Sequence, residues 1–300
     1  MARKPHISGR MSVPHQLTDV RIDEDVVDEF EEKGFLVLRD VLSDDQINRL
    51  IDAGDRLIAS DYGVNRQSSD DGRYDGFRNC LALDDAFVEL LAHPETFPYV
   101  VRLMGPMIEL LTTHLIYKKP NPDGSVTDRS PGWHRDFYKA QKSLGDPAIP
   151  RLNLKCAYYL TDLDSPADGG TLFVPGSHRL REPLDVPEGA DPEGAVQPTL
   201  SAGDCVLFEN RTWHAGGANV GDRTRKAVMF GYSYVWVQPS DYDEQPPETT
   251  ERVEERYGDI GRQLIGALPE PEEFDFGYDS EPIRDWADTH EIPDDFHAKF

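Results

Sequence analysis

Gly132-Trp133-His134-Arg135-Asp136-Phe137 places a histidine and an aspartate two residues apart between aromatic neighbours. In an extended strand residues i and i+2 project to one side. His134 and Asp136 can therefore bind one metal ion while Arg135 turns away. Trp133 and Phe137 favour a strand in a partly apolar setting. A third ligand must come from a strand near in space and distant in sequence. His214 fits: it follows Gly203-Asp204-Cys205-Val206-Leu207-Phe208, which reads as a turn and then a buried strand. Two imidazoles and one carboxylate cap one face of an octahedral iron and leave three positions open, the arrangement suited to O2 chemistry. The same donors also suit zinc. Arg225 lies eleven residues beyond His214, and a guanidinium there can hold a co-substrate carboxylate through two parallel hydrogen bonds. Arg223 can reach the same side. The bland alternatives are a surface histidine beside a solvated aspartate, and a basic face shared by Arg223, Arg225 and Lys226.

Outward from this segment, short apolar runs alternate with turn residues. Strands are predicted at 35–38, 108–118, 153–160, 172–174 and 227–237. Helices are predicted at 23–33, where Gly34 ends the run, and from Ser43 to about residue 60. There, Ser43-Asp44-Asp45-Gln46 resembles a capping box, and Ile47, Leu50, Ile51 and Leu57 have helical spacing. Further helices are expected at 81–92, 94–104 and 249–267. The polar stretch 61–78 reads as a long loop near a pocket mouth. Residues 120–131 form a Pro/Gly/Asp-rich loop, and 183–199 a proline- and acid-rich insert. Many short strands with turn punctuation fit a jelly roll, mainly β with flanking helices. The ligands straddle the middle of the chain, which argues for one domain over 21–240. Residues 1–20 read as a loose arm. Residues 241–300 read as an acidic extension, helical then irregular, packed on the same domain.

Three ordered blocks go further. Phe30-Glu31-Glu32-Lys33-Gly34-Phe35-Leu36-Val37-Leu38-Arg39-Asp40-Val41-Leu42-Ser43 resembles the amino-terminal entry of the phytanoyl-CoA dioxygenase family. Gly169-Gly170-Thr171-Leu172-Phe173-Val174-Pro175-Gly176-Ser177-His178 resembles its central block, and His214 through Asn219 to Arg225 its closing block. The resemblance implies a double-stranded β-helix of the cupin-like kind, with iron(II), 2-oxoglutarate and O2. It implies oxidative decarboxylation to succinate and CO2, coupled to attack on a substrate C–H bond. It assigns His134, Asp136 and His214 to the metal and Arg225 to the far carboxylate of 2-oxoglutarate. Carried along 153–160, it turns Cys156 and Tyr158 inward toward the co-substrate, and along 113–117 it offers Tyr117. Phe137, Tyr138 and Arg78 are its substrate candidates. His178 is structural in this pattern, and His114 reads as a satisfied core or pocket histidine. Related halogenases lack the carboxylate ligand. Asp136 is present, which favours hydroxylation, with desaturation, ring closure or epimerisation as alternatives, and a non-catalytic metal-binding module as another. Ectoine hydroxylases share Trp133-His134 and Asp136-Phe137, but the pattern departs after Phe137, which argues against that substrate.

A net charge of −25 over 300 residues argues against nucleic acid and anionic membranes as partners, since both need basic patches. The expected partner is a small-molecule substrate. Cys80, Cys156 and Cys205 form no Cys-x-x-Cys pair, so no disulfide framework is implied, and a reducing, cytoplasmic setting is expected. The first residues lack the apolar run of a signal peptide, and no run of about 18 apolar residues suggests a membrane span.

Overall fold

The computed structural model describes residues 17–18, 20–145, 149–186, 189–268 and 281–293. The expected N-terminal arm lies almost wholly outside them; of the end of the acidic extension expected to be irregular, residues 281–293 are described and carry a helix over Glu281–Thr289. In chain order the strands are β1 (Phe35–Leu38), β2 (Arg66–Ser68), β3 (Tyr74–Arg78), β4 (Ile108–Lys118), β5 (Asn153–Tyr159), β6 (Thr171–Phe173), β7 (Cys205–Glu209), β8 (His214–Gly216) and β9 (Arg225–Tyr234). The helices are α1 (Glu24–Lys33), α2 (Asp44–Ala59), α3 (Asp85–Val88), α4 (Phe97–Met104), α5 (Tyr138–Leu144), α6 (Pro247–Leu264) and α7 (Glu281–Thr289). A seven-stranded antiparallel sheet runs β1-β7-β5-β9-β4-β3-β2, and β6 pairs with β8 in a second, smaller sheet. This is the jelly-roll architecture of a double-stranded β-helix with flanking helices.

Strand alternation splits the large sheet into two faces. Leu154, Cys156 and Tyr158 of β5, with Val228, Phe230 and Tyr232 of β9, join the helices in the main core. Ala157, Tyr159, Val206, Phe208 and Ala227 face the other way, into a second cluster that includes Phe173 of β6. There Phe35 stacks on Phe173 with ring centroids 4.4 Å apart. The helical layer follows local signals. Ser43 and Gln46 exchange reciprocal cap hydrogen bonds at the start of α2, and Ile47, Leu50 and Ala53 form its buried stripe. Asp23 caps α1 and Gly34, at φ 78°, ends it. A side chain at Gly34 would also strike His178 and Thr212, 2.4 Å from its Cβ position, so both conformation and space demand glycine. Val253, Tyr257 and Leu264 of α6 and Ile283 and Trp286 of α7 bury in the main core. Among the described residues no helix is long and apolar enough to cross a membrane.

A hairpin and two helices differ from expectation. The polar stretch read as a loop contains the hairpin β2–β3, which extends the sheet by pairing onto β4. Its sequence lacks apolar alternation, so hydrophobic period says nothing there. The cross-strand pair Arg66–Asp75, with Nη2 to Oδ2 at 2.8 Å, and the left-handed turn residue Gly72 (φ 68°) hold it instead. The helices expected over 81–92 and 94–104 shorten to α3 and α4, because His93-Pro94 disfavours helical backbone just before the proline.

All three cysteines are free and buried, and burial raises the Cys80 thiol to about 12 and that of Cys205 well above its ordinary value. A thiol reagent should find three thiols in denatured protein and almost none reacting in the native state; one or none after denaturation would contradict a reduced protein. His93 is buried, and desolvation, with Arg256 nearby, lowers its pKa to about 4. Between about pH 6.5 and 4 the unfolded chain takes up a proton there that the native protein refuses. The stability contributed by neutral His93 is therefore complete above pH 6.5 and lost as pH falls, by about 3 kcal/mol at pH 4. His93→Gln should flatten the acid limb of a Tm-against-pH curve relative to the parent; parallel curves would refute this.

Candidate metal centre and co-substrate pocket

His134 and His214 form an isolated antiparallel bridge, exchanging N–H to carbonyl hydrogen bonds of 3.0 Å in both directions. His214 opens β8 and lies buried against Phe208, ring centroids 4.9 Å apart. His134 is extended only at this bridge. Asp136 already sits in the turn that leads into α5, and Phe137 has φ 59°. The His-x-Asp pair is thus placed by one bridge and a tight turn, where sequence spacing suggested a strand.

The three side chains converge: one ligand atom from each lies within 4.8 Å of the others. Asp136 Oδ1 is 4.0 Å from His134 Nε2, and Oδ2 is 3.8 Å from His214 Nε2. His134 Nδ1 lies 2.7 Å from the Gly132 carbonyl, and His214 Nδ1 lies 2.8 Å from that of Thr212. A carbonyl oxygen only accepts, so each Nδ1 carries the proton and each Nε2 presents a lone pair to the centre. Burial lowers the His214 pKa to about 4. Burial works against the charged form of Asp136, but Lys155, His214 and His134 outweigh it and bring that carboxyl to about 2. At neutral pH His214 is neutral and Asp136 anionic, the states a divalent cation needs. The donor set fits iron.

Arg225 begins β9 on the same face of the large sheet. It is only 8% exposed, and its Nε is buried with no hydrogen-bond partner. Its described neighbour is the Tyr159 ring, 5.9 Å from the guanidinium carbon. Burial lowers its pKa against the opposing pull of Tyr159 and Tyr74. Lys118 is its register partner on β4. That ammonium donates to the carbonyls of Gly217 and Ser130, and burial, with Arg225 and Arg129 nearby, lowers it to about 8. A buried arginine without a carboxylate partner is costly, and an anionic co-substrate would offset that cost. Arg223, by contrast, is bound at the surface by Asp162 and Asp164.

The remaining expectations divide. Cys156 and Tyr158 do not face this pocket. They belong to the main core, and the Tyr158 hydroxyl is hydrogen-bonded to that of Thr96 at 2.7 Å. The inward residues of β5 are Lys155, Ala157 and Tyr159, one position out of step with the expected face, and a one-residue slip reverses every side chain. Tyr117 also lies on the helical side and donates to Asp55 at 2.7 Å. Tyr138 is 62% exposed at the start of α5, and Phe137 packs against the main core. Arg78 remains on the pocket face, beside Thr112 at 3.1 Å. His114, its register partner, is buried with Nε2 2.5 Å from the Tyr74 hydroxyl. Burial, then Arg78, Lys155 and Arg225, hold His114 well below its usual pKa, so it is neutral. His178 packs beside the Glu31 carbonyl at 3.1 Å and takes no part in the triad.

Sequence reasoning missed Lys155, Tyr159, Tyr74 and Lys118. The signal for Lys155 was present: it is the single charge in an otherwise uncharged run over 152–160. It also missed Asp191, in the proline-rich insert, which accepts from Trp133 Nε1 at 3.0 Å and pairs with Arg129, bracing the segment before His134.

The phytanoyl-CoA dioxygenase (PhyH) family model matches residues 30–227. Rat peroxisomal phytanoyl-CoA dioxygenase is 26% identical over 265 residues, covering 76% of this chain and 75% of its own. The ectoine dioxygenase of Bordetella parapertussis is 22% identical over 240 residues, covering 71% and 75%. Among solved structures, HygX from Streptomyces hygroscopicus, with nickel, 2-oxoglutarate and hygromycin B bound, superposes with a TM-score of 0.58 at 19% identity, covering 74% of this chain and 91% of that one. The 2-oxoglutarate-dependent epimerase SnoN of nogalamycin biosynthesis gives 0.56 at 23%, covering 70% and 80%. At these identities the two structures speak for the fold.

Proposed function

The chain belongs to the phytanoyl-CoA dioxygenase family and is a dioxygenase of the iron(II), 2-oxoglutarate and O2 type; we propose that it hydroxylates an unactivated C–H bond of a small molecule, releasing succinate and CO2. The observation that carries this reading is Arg225, a guanidinium buried with no carboxylate partner among the described residues, on the face that holds the His134–Asp136–His214 set. Iron, when bound, supplies the oxygen chemistry, and the protein supplies position and exclusion. His134 and His214 present Nε2 because the Gly132 and Thr212 carbonyls hold their Nδ1 protons. Asp136 supplies the anionic ligand. Lys155, Ala157 and Tyr159 form one inward row from Asp136 to Arg225. Its span of four residues is about 13 Å, a distance that an arginine side chain and a five-carbon diacid together cover. Arg225 takes the far carboxylate of 2-oxoglutarate, with Lys118 adding positive charge beside it. Phe173 and Phe208 keep water from the His214 side. Arg78, on the same face, is the proposed substrate contact. The reduced cysteines favour a cytoplasmic setting.

Desaturation, ring closure and epimerisation would use the same residues, so product structure decides among them. Iron-loaded protein should bind 2-oxoglutarate and release succinate slowly without substrate, and faster with a true substrate in a metabolite screen. Absence of both binding and turnover would refute the reading and favour a non-catalytic module.

A further inference from the structure

Lys155 reaches across from β5 to the metal-binding carboxylate. Its Nζ lies 2.6 Å from Asp136 Oδ2, and its side chain is 17% exposed. The ammonium also sits over the Phe208 ring, 5.4 Å from its centroid. Oδ2 is buried and receives no aligned hydrogen bond, so its contact with Lys155 is an ion pair, and the ligand imidazole of His214 is further off at 3.8 Å. The two oxygens of Asp136 are therefore not equivalent: Oδ1 faces His134, and Oδ2 faces a fixed cation.

We propose that Lys155 is a positioning residue that holds Oδ2 away from the iron, so that Asp136 binds through Oδ1 alone. The inference rests on the reading of this site as an iron and 2-oxoglutarate centre. A carboxylate can bind a cation through one oxygen or both. Through both, Asp136 and the two imidazoles would fill four of six octahedral positions. The keto and carboxylate oxygens of 2-oxoglutarate would take the last two, and O2 would have none. Through one, a position is left for O2. The lone cation of β5 thus keeps the reaction's third site open. Among the described groups Lys155 is the one charged side chain paired with Oδ2 at short range, with His214 Nε2 further off at 3.8 Å.

The test compares full-length Lys155→Met, Lys155→Gln and Lys155→Arg with the parent, loaded anaerobically with Fe(II) and 2-oxoglutarate. Nitric oxide serves as the O2 surrogate, read by the high-spin iron–nitrosyl EPR signal. Crystals of the Ni(II) and 2-oxoglutarate complexes read how Asp136 binds. Lys155→Met should bind nitric oxide at least about tenfold more weakly, the scale of lost outer-shell support, with both Asp136 oxygens on nickel. Lys155→Arg puts back a cation and Lys155→Gln a neutral donor beside Oδ2, and both should restore one-oxygen binding and the nitrosyl signal. One-oxygen binding and an unchanged nitrosyl titration in Lys155→Met would overturn the proposal, as would failure of both donor variants to rescue a folded, metal-loaded site. If the parent itself binds neither iron nor 2-oxoglutarate, the functional reading falls and takes this inference with it; a parent that binds both isolates Lys155.

Discussion

Arg225→Ala should raise the 2-oxoglutarate concentration for half-maximal succinate formation at least about 30-fold, with iron content unchanged. The guanidinium is buried on the pocket face with Nε unpartnered. Truncating one member of a buried, charge-assisted pair costs roughly 2–5 kcal/mol, and the lower figure is about a factor of 30 in affinity. Iron content should hold because Arg225 makes no described contact with His134, Asp136 or His214. Arg223→Ala should stay within about twofold, since its pairs with Asp162 and Asp164 are at the surface and such pairs contribute little. A second readout separates a binding role from a structural one. The co-substrate should raise the parent's Tm by mass action, while Arg225→Ala should lose that shift and keep an apoprotein Tm no lower than the parent's, because it removes an uncompensated buried charge. A large loss in Arg223→Ala and none in Arg225→Ala would mean that the wrong arginine was chosen. No loss in either would remove 2-oxoglutarate from the site.

These residues show what the sequence makes legible. A block motif fixes identity along the chain, and three ordered blocks announced the jelly roll. Face is a different quantity, set by strand register. The run over 152–160 is apolar at nearly every position because β5 is buried on both sides: Leu154, Cys156 and Tyr158 under the helices, Ala157 and Tyr159 over the pocket. A strand buried on both faces has no polar alternation from which to read its phase, so Cys156 and Tyr158 were assigned where Lys155 and Tyr159 stand. Tyr117 failed likewise on β4. Hairpin β2–β3 was hidden for the opposite reason, being mostly polar, with Phe77 its one buried apolar anchor, and held by Arg66–Asp75. Its Tyr74 and Arg78 complete the pocket face only through pairing with β4, a contact distant in sequence. The candidate metal ligands stood out in the sequence because ligand chemistry needs particular residue types, whatever backbone carries them. His134 and Asp136 converge although the strand that motivated their spacing is reduced to one bridge and a turn.

Asp136→Ala should abolish turnover and lower Fe(II) affinity by at least about 100-fold. Asp136 is the anionic member of the ligand set, and it also holds Lys155 at 2.6 Å. Its loss acts twice. The metal loses a charged bond, and the partly buried ammonium loses its counter-charge and faces the incoming dication unopposed. Loss of an outer-shell partner alone costs about 10–100-fold in metal affinity, so loss of a ligand sets a floor of about a hundredfold. The second contribution can be isolated. Adding Lys155→Met to Asp136→Ala should recover part of the lost affinity, because only the repulsion is then relieved, and should recover no turnover. Replacing Asp136 by alanine clears space for a halide, but no efficient halogenation is expected, since the pocket was not shaped to place a substrate for it. The measurement is anaerobic titration with Fe(II), alongside succinate formation, for parent, single and double variants. Undiminished affinity and turnover in Asp136→Ala would remove Asp136 from the metal. A double variant that binds iron no better than the single one would show that Lys155 swings clear once its partner is gone, and the cost would then lie wholly in the missing metal bond.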